Sequence, residues 1–178
     1  MEKEKANITA KGEYVDYIYK NGELVEVKEG HNIVVNCCSK LIASLIAGKT
    51  SSGALYWAIG SGNSDWDALY DANNPPAPTE DAVQLVNEIA RISLNNSNFK
   101  FVDESGNEVS DMIPTNRIKC TISVGEEVAN GKWREFGLFG GGTASPSSNT
   151  GIMIDHVYHN VFNKSNEFSV TRVLTLTF

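Results

Sequence analysis

The stretch Trp133-Arg134-Glu135-Phe136-Gly137-Leu138-Phe139-Gly140, together with the closing run from Glu167 to Phe178, decides the fold of this chain. The even positions of the closing run are apolar at Phe168, Val170, Leu174, Leu176 and Phe178. The odd positions are polar except for Val173, and Arg172 is the one polar residue at an even position. This period of two, in β-branched and aromatic residues, predicts a strand with one face on a core and one in water.

Length and composition favour a single globular domain over residues 1–178. The chain has 178 residues, of which 41% are hydrophobic and 21% are charged, so it is long enough to bury a core without disulfide bonds. The formal net charge of −7 argues against binding nucleic acid, because contact with the phosphate backbone needs clustered Lys and Arg.

The cysteines and the N-terminus indicate synthesis in a reducing compartment. There are three cysteines, Cys37, Cys38 and Cys120, and an odd number with an adjacent pair is a poor disulfide framework. The charged start Met1-Glu2-Lys3-Glu4-Lys5 is not followed by the apolar run of a signal peptide, and no run reaches membrane-spanning length. We therefore expect synthesis in a cytoplasm and no association with a membrane.

Residues 1–31 are predicted to form a hairpin. Strand-like alternation at Ile8 and over Tyr14–Tyr19 is followed by Asn21-Gly22, and Asn-Gly between two such runs is a strong hairpin signal. The return strand runs through Leu24–Val27 towards Val35. Two interpretations remain open for this hairpin: a pair of strands within the core, or an arm that reaches towards a neighbouring subunit during assembly.

One short helix is predicted between Asn36 and Gly48, with Asn36 as the N-cap and Gly48 just beyond the C-terminus. Its apolar residues Cys38, Leu41, Ile42, Leu45 and Ile46 recur at helical spacing, so this face is expected to pack on the sheet. Cys38 is then a small core residue, whereas a reactive thiol at Cys37 is the competing hypothesis.

The rest of the chain predicts short strands separated by turns. An apolar strand over Leu55–Gly62 precedes a long Asp- and Pro-rich loop over 63–80, and Asp81 is a candidate cap for a short helical turn. The run Ile152–Phe162 changes its apolar phase, which indicates either a bulge near Asp155 or a strand buried on both faces. About eight short strands and one helix predict a mainly β fold, an antiparallel β-sandwich.

The patterns that suggest metal or phosphate sites are weak. His156 and His159 are three positions apart, which directs their rings to opposite faces of a strand, and His31 stands alone. Asn63, Asp65, Asp67 and Asp71 offer oxygen ligands for calcium but lack the spacing of an EF-hand. The glycines at 60–62 and 140–142 lack the rest of a phosphate-binding loop. We predict no metal, no cofactor and no catalytic residue.

Glu135 is the most informative polar residue. In a strand it shares a face with Phe139, which resembles a core face, and a carboxylate that points inwards is costly unless it is paired. Arg172 and Arg91 are the candidate partners, so we hypothesise a buried structural ion pair between Glu135 and one of these arginines. The alternative is that strand twist brings the Glu135 carboxylate to solvent.

Four blocks in order resemble a family of small structural proteins of tailed bacteriophages, which includes domains of tail-fibre and collar-fibre proteins. The blocks are Asn32-Ile33-Val34-Val35-Asn36 leading to the helix, Trp57-Ala58-Ile59-Gly60-Ser61-Gly62, Leu85-Val86-Asn87-Glu88-Ile89-Ala90-Arg91, and Arg134-Glu135-Phe136-Gly137-Leu138-Phe139. The resemblance covers about residues 32–178. The long opening hairpin and the loop at 63–80 depart from the family pattern.

The resemblance implies a non-enzymatic component of a bacteriophage virion, made in the cytoplasm of a bacterial host. It would act in a tail fibre, collar, neck or baseplate by self-association, as a trimer or ring, and by docking to other virion proteins. The alternatives are a capsid decoration or head-fibre protein, and a receptor- or glycan-binding module with exposed aromatic residues such as Tyr56, Trp66 or Tyr70. A carbohydrate-active enzyme would instead need two inward carboxylates that face a cleft.

Overall fold

The computed structural model describes residues 10–70, 74 and 76–178. Within these residues the chain forms nine antiparallel strands and two α-helices. In chain order they are β1 (Lys11–Lys20), β2 (Glu23–Val34), α1 (Cys38–Ile46), β3 (Ala54–Gly60), α2 (Trp66–Leu69), β4 (Glu88–Ser93), β5 (Phe99–Phe101), β6 (Arg117–Val124), β7 (Gly131–Gly140), β8 (Ile152–Lys164) and β9 (Phe168–Thr177). A single 3₁₀ turn, Asn96–Asn98, precedes β5.

The strands lie in one curled sheet in the order β4-β3-β7-β8-β2-β1-β9-β6-β5, which forms a half-barrel. The sheet has two well-paired parts, one from β4 to β8 and the other from β2 to β5. These parts meet where Ile33 of β2 pairs with His156 of β8, and Val34 pairs with Asp155. The continuity of the sheet therefore depends on the last residues of β2.

The concave side of the sheet holds the main core, which is centred on aromatic rings of β3 and β7. The Trp57 ring lies 6.0 Å from the Trp133 ring and 5.9 Å from the Phe136 ring, measured between centroids. Tyr14 of β1 meets Phe136 edge-on at 5.3 Å. Aromatic pairs of this kind add to the free energy gained by burying their apolar surface, so these rings stabilise the packing of β1, β3 and β7.

A smaller core lies on the convex side of β7. It consists of Val35, Ala58, Leu85, Phe139 and Met153, and each of these residues is at most 2% exposed. Leu85 belongs to the segment that precedes β4 and is fully buried. Because β7 is covered on both faces, its residues from 133 to 140 are buried without alternation, as in other strands enclosed on two sides.

The predicted fold class is confirmed: the chain is mainly β with antiparallel strands. The predicted sandwich is not confirmed, because β2 pairs with β1 on one side and with β8 on the other, which joins the strands into one curled sheet. The alternation within a strand indicates which of its faces is buried. The number of sheets depends instead on which distant strands pair with each other.

The predicted hairpin is confirmed in its described residues, and Ile8 lies outside them. Asn21 and Gly22 have φ values of 49° and 84°, which are the left-handed values that a tight two-residue hairpin turn needs. The two strands differ in environment, since Ile18 of β1 is 2% exposed whereas β2 is exposed at most positions before Asn32.

The predicted helix exists as α1, but its boundaries and its packing differ from expectation. Gly48 follows the helix with φ 63°, as predicted, whereas the N-cap is Cys37 and not Asn36, whose side chain donates to Asp81. Leu41 is buried with Cys38, but Ile46 is 82% exposed, because the helix contacts the sheet mainly through its first turns. The predicted amphipathic face is therefore only partly covered.

Two further local predictions are wrong. The loop predicted over 63–80 contains α2, whose backbone begins to turn at Asp65, and the segment after Asp81 forms no helix. The Asp81 carboxylate instead accepts a hydrogen bond from the Asn36 side chain, which connects this segment to the start of α1.

The expected phase change in β8 is confirmed as a register shift. Leu138 pairs with Asp155 and Phe139 pairs with Met153, so Ile154 is an extra residue in β8.

Candidate functional site

Glu135 is a structural carboxylate that holds two connecting segments against the convex face of the sheet. It is fully buried, and its Oε1 accepts hydrogen bonds from the backbone N–H groups of Gly62, at 3.2 Å, and Asn87, at 2.8 Å. Its Oε2 accepts the N–H of Val86 at 3.0 Å. Three backbone donors therefore satisfy this carboxylate, and among the described residues no arginine or lysine is paired with it. Gly60 lies opposite Glu135 because a Cβ there would overlap the carboxylate.

The prediction that Glu135 is buried is confirmed, and the predicted ion pair with Arg172 or Arg91 is wrong. Arg172 points to the concave side, away from Glu135, and binds Asp16. Arg91 binds Glu88 three residues away, with Nε–Oε1 and Nη2–Oε2 distances of 2.7 and 2.9 Å. Backbone amides carry no side-chain signature, so the sequence pattern could not reveal the partners that Glu135 uses.

The Asp16–Arg172 pair lies within the concave core. Asp16 and Arg172 occupy directly opposed positions on β1 and β9, and two hydrogen bonds of 2.5 Å join them. The guanidinium carbon lies 3.6 Å from the centroid of the Phe136 ring, with Tyr14 and Trp57 at 4.7 and 5.1 Å. A charge pair within an aromatic enclosure is rigid, and it is costly to disrupt from one side only.

A cleft of about 310 Å³ separates the middle of β2 from the last part of β8. The register between β7 and β8 shifts near this cleft. Trp133 pairs with Phe162 and Glu135 pairs with Tyr158, so an advance of two residues along β7 matches four residues along β8. Extra residues of this kind bend the strand that carries them. The cleft is lined by Tyr14, Asp16, Ile18, Lys28, Glu29, Trp133, Tyr158, His159, Asn160 and Phe162.

The same divergence leaves a long edge of β2 without a neighbouring strand. From Asn32 back to Glu23, no described residue of β8 pairs with β2, although β1 pairs with this part of β2 on the other side. The unpaired part also carries exposed apolar side chains, since Leu24, Val25 and Val27 are 52%, 53% and 47% exposed. An open edge with exposed apolar residues is a template for strand pairing with another chain.

The two histidines of the H-x-x-H pattern diverge, as predicted. His156 is buried on the convex side, with Nε2 3.7 Å from Glu135 Oε2 and its ring edge-on to Tyr158. His159 lies on the concave side over Phe136, and burial together with the nearby Arg172 lowers its pKa to about 4. Among the described residues, no group of three His, Cys, Asp or Glu side chains is arranged to hold a metal ion.

The acidic loop residues act in other contacts. Asp67 pairs with Arg134 through two hydrogen bonds, and the Arg134 guanidinium lowers the pKa of this carboxyl. The Asn63 side chain accepts the N–H of Asp65, while Asp71 lies outside the described residues. No helix in the described part of the chain is long and apolar enough to cross a membrane.

The three cysteines are free thiols. Burial raises the pKa of Cys38 to about 11 and that of Cys120 to about 12, as expected for core residues. Burial also raises the pKa of Cys37, whose Sγ donates to the carbonyl of Met153 at 3.2 Å. A raised pKa disfavours the thiolate, so the hypothesis of a reactive Cys37 is not supported.

Asp155 is a buried carboxylate at the junction between β2 and β8. Its Oδ1 accepts the N–H of Leu138 at 2.9 Å and its Oδ2 accepts the Asn32 side chain at 2.5 Å. Burial raises its pKa to about 7, against the opposing effects of these hydrogen bonds and of the Arg172 charge. Protonation is therefore favoured in the folded state, and deprotonation near neutral pH places a charge inside this junction.

We expect the stability contributed by Asp155 to fall as the pH rises. Because its pKa in the folded protein exceeds that of the unfolded chain, this contribution is complete below pH 4 and is lost through about pH 7. One pKa unit corresponds to about 1.4 kcal/mol, so going from pH 5 to pH 8 should remove about 2 to 3 kcal/mol. The variant Asp155→Asn should lack this component, which urea denaturation at several pH values measures.

The contribution of His159 to stability changes with pH in the direction opposite to that of Asp155. Its pKa is lowered in the folded protein, so this contribution falls as the pH drops from about 6.5 towards 4. The informative quantity is therefore the difference between the wild type and Asp155→Asn at each pH. Asp111→Asn, at an exposed position, serves as the matched control and should follow the wild type. An Asp155→Asn profile parallel to that of the wild type between pH 5 and 8 would contradict this assignment.

Comparisons with protein-family models, curated proteins and solved structures find no match. Glu135, Arg172 and Arg91 each hold parts of the fold together, whereas the open edge of β2 and the cleft beside it remain available to a partner.

Proposed function

We propose that this chain is a non-enzymatic structural component of a tailed-bacteriophage virion, of the tail-fibre, collar or baseplate type. It would act by self-association and by docking to other virion proteins. The assignment to a virion rests on the four sequence blocks that resemble phage structural proteins. The observation that supports self-association is the open edge of β2, which combines unpaired backbone groups with exposed Leu24, Val25 and Val27. A building block needs such a surface, because an assembled neighbour buries it.

The charged residues of the interior support the same proposal. Asp16 lines the cleft, but both of its carboxylate oxygens are engaged by Arg172. Glu135 is saturated by backbone donors, and Glu88 is held by Arg91. These groups stabilise a rigid scaffold, which suits a protein whose role is to present surfaces to its neighbours.

A second candidate is recognition of a glycan, and the aromatic lining of the cleft favours it. The half-buried rings of Tyr14, Tyr158 and Phe162 line the cleft beside the side chain of Asn160, while Trp133 forms its buried floor at 2% exposure. Sugars combine apolar C–H faces with hydroxyl groups, so a cleft of mixed lining suits them. This location differs from the expected groove, because Trp66 packs on Tyr158 and Tyr56 lies against Arg91.

The virion role is tested by quantitative mass spectrometry of phage particles. These particles are purified from a bacterial culture that produces the phage whose genome encodes this chain. We expect its peptides to be present in a fixed ratio to those of the major capsid protein through successive density gradients. If the chain is abundant in the lysate but absent from purified particles, the proposal is wrong. Saturable binding of an oligosaccharide array by the isolated protein would instead support the second candidate.

A further inference from the structure

We infer that two copies of this chain pair through the open edges of β2, in an antiparallel arrangement centred on Val27. This inference rests on the proposed function, since it specifies the surface through which the building block self-associates. Its partner is a second copy of the same chain, and the interface is isologous, with the same residues on both sides of a two-fold axis.

The backbone of β2 presents the required hydrogen-bonding groups at this edge. The N–H of Val35 donates to the carbonyl of Ile154 on β8, and Ile33 pairs with His156 in the same ladder. Backbone groups of alternate residues point to the same side of a strand, and the register of β2 is regular from Asn32 to Glu26. The N–H and C=O groups of Val27 and Glu29 therefore point to the open side.

The side chains select one register among those that the backbone allows. Pairing centred on Val27 places Val27 opposite its own copy and places Glu26 directly opposite Lys28 of the second copy, twice per dimer. Centring the pair on Glu29 would instead oppose two carboxylates, which is destabilising. Within one chain Glu26 and Lys28 already lie on the same face, with Nζ and Oε2 3.3 Å apart. In the pair, the four charges alternate in sign across the two strands.

The side chains that form the proposed cross-strand pairs are accessible. Glu26 and Lys28 are partly exposed, and Lys28 Nζ lies 5.5 Å from the centre of the Phe162 ring, across the cleft of about 310 Å³ between β2 and the bent end of β8. In the pair, Val25 of one copy lies opposite Glu29 of the other copy, next to this cleft. Each exposed Val27 side chain gains the other as a cross-strand neighbour, and the sheet continues through both copies.

The test uses two charge variants, Glu26→Lys and Lys28→Glu, and their mixture. Each variant alone faces two repulsive pairs in its homodimer, so we expect sedimentation equilibrium to show dimerisation at least about tenfold weaker than in the wild type. An equimolar mixture of the two variants opposes lysines to glutamates and should form a heterodimer of near wild-type affinity, detected by native mass spectrometry. A contact within one chain cannot produce this rescue.

A backbone variant checks the hydrogen bonds independently. Val27→Pro removes an N–H that points to the open side and none that pairs with β1, so the hairpin should fold while dimerisation is lost. Val27→Thr keeps that N–H and serves as the matched control, which should still dimerise. Circular dichroism confirms that both variants are folded before their masses are compared.

The results that overturn the inference are specific. A wild-type chain that stays monomeric up to about 1 mM, equivalent to an association free energy weaker than about 4 kcal/mol, excludes the pairing. An oligomer that is insensitive to Val27→Pro, or variants whose mixture shows no heterodimer, also excludes it. A monomeric chain that is nevertheless found in virions overturns only this inference, whereas a dimer that is absent from virions overturns only the proposed function.

Discussion

Replacing Arg172 with methionine is expected to lower the free energy of unfolding by about 3 to 5 kcal/mol. Methionine keeps much of the apolar contact with Phe136 but removes both hydrogen bonds to Asp16. The Asp16 carboxylate, whose side chain is 10% exposed, is then left without a cation in an apolar surrounding. Urea denaturation followed by tryptophan fluorescence measures the change, since Trp57 lies beside the guanidinium.

The companion double variant separates loss of the pair from loss of packing. Adding Asp16→Asn to Arg172→Met removes the unpaired charge, so the double variant should be more stable than Arg172→Met alone by about 1 to 2 kcal/mol. Such a result would mean that much of the stability lost in Arg172→Met arises from the unpaired Asp16 carboxylate. A double variant that is less stable than the single one would contradict this account.

Lys20→Met is the matched control for Arg172→Met. Lys20 lies in β1, the strand that carries Asp16, and pairs with the carboxylate of Glu167, but both side chains are about half exposed. Exposed ion pairs contribute little, so this variant should change the free energy of unfolding by less than about 1 kcal/mol. A loss as large as that of Arg172→Met would mean that burial does not distinguish the two pairs.

The second large effect is expected from Glu135→Ala, which should lower the free energy of unfolding by about 3 to 5 kcal/mol. The variant removes the acceptor of three backbone N–H groups, those of Gly62, Val86 and Asn87. A buried donor without an acceptor costs about 1 to 3 kcal/mol. Because two segments lose their attachment to β7, we also expect local loosening before global unfolding.

Hydrogen exchange distinguishes this mechanism from a general loss of stability. The amides of Val86 and Asn87 should exchange faster in Glu135→Ala, relative to the amides that pair β1 with β9. Glu127→Ala, at an exposed position, serves as the matched control and should leave both sets unchanged. Uniformly faster exchange across the whole sheet would show that Glu135 does not hold these segments specifically.

Local sequence patterns predicted much of the fold. Alternation in β9 predicted a strand with one buried face, and Asn21-Gly22 predicted the hairpin turn. Helical spacing and Gly48 predicted α1. These features depend on the geometry of a few neighbouring residues, so they can be predicted from local sequence.

The partners of the buried charges were decided only by the tertiary structure. Arg172 binds Asp16, which lies 156 positions away in the chain, and Glu135 binds backbone amides that no side-chain pattern reveals. The open edge of β2 likewise arises because β8 gains extra residues and bends away. Contacts of this kind depend on how distant strands pair and curve, and the alternation within one strand specifies which face is buried but not which strand becomes its neighbour.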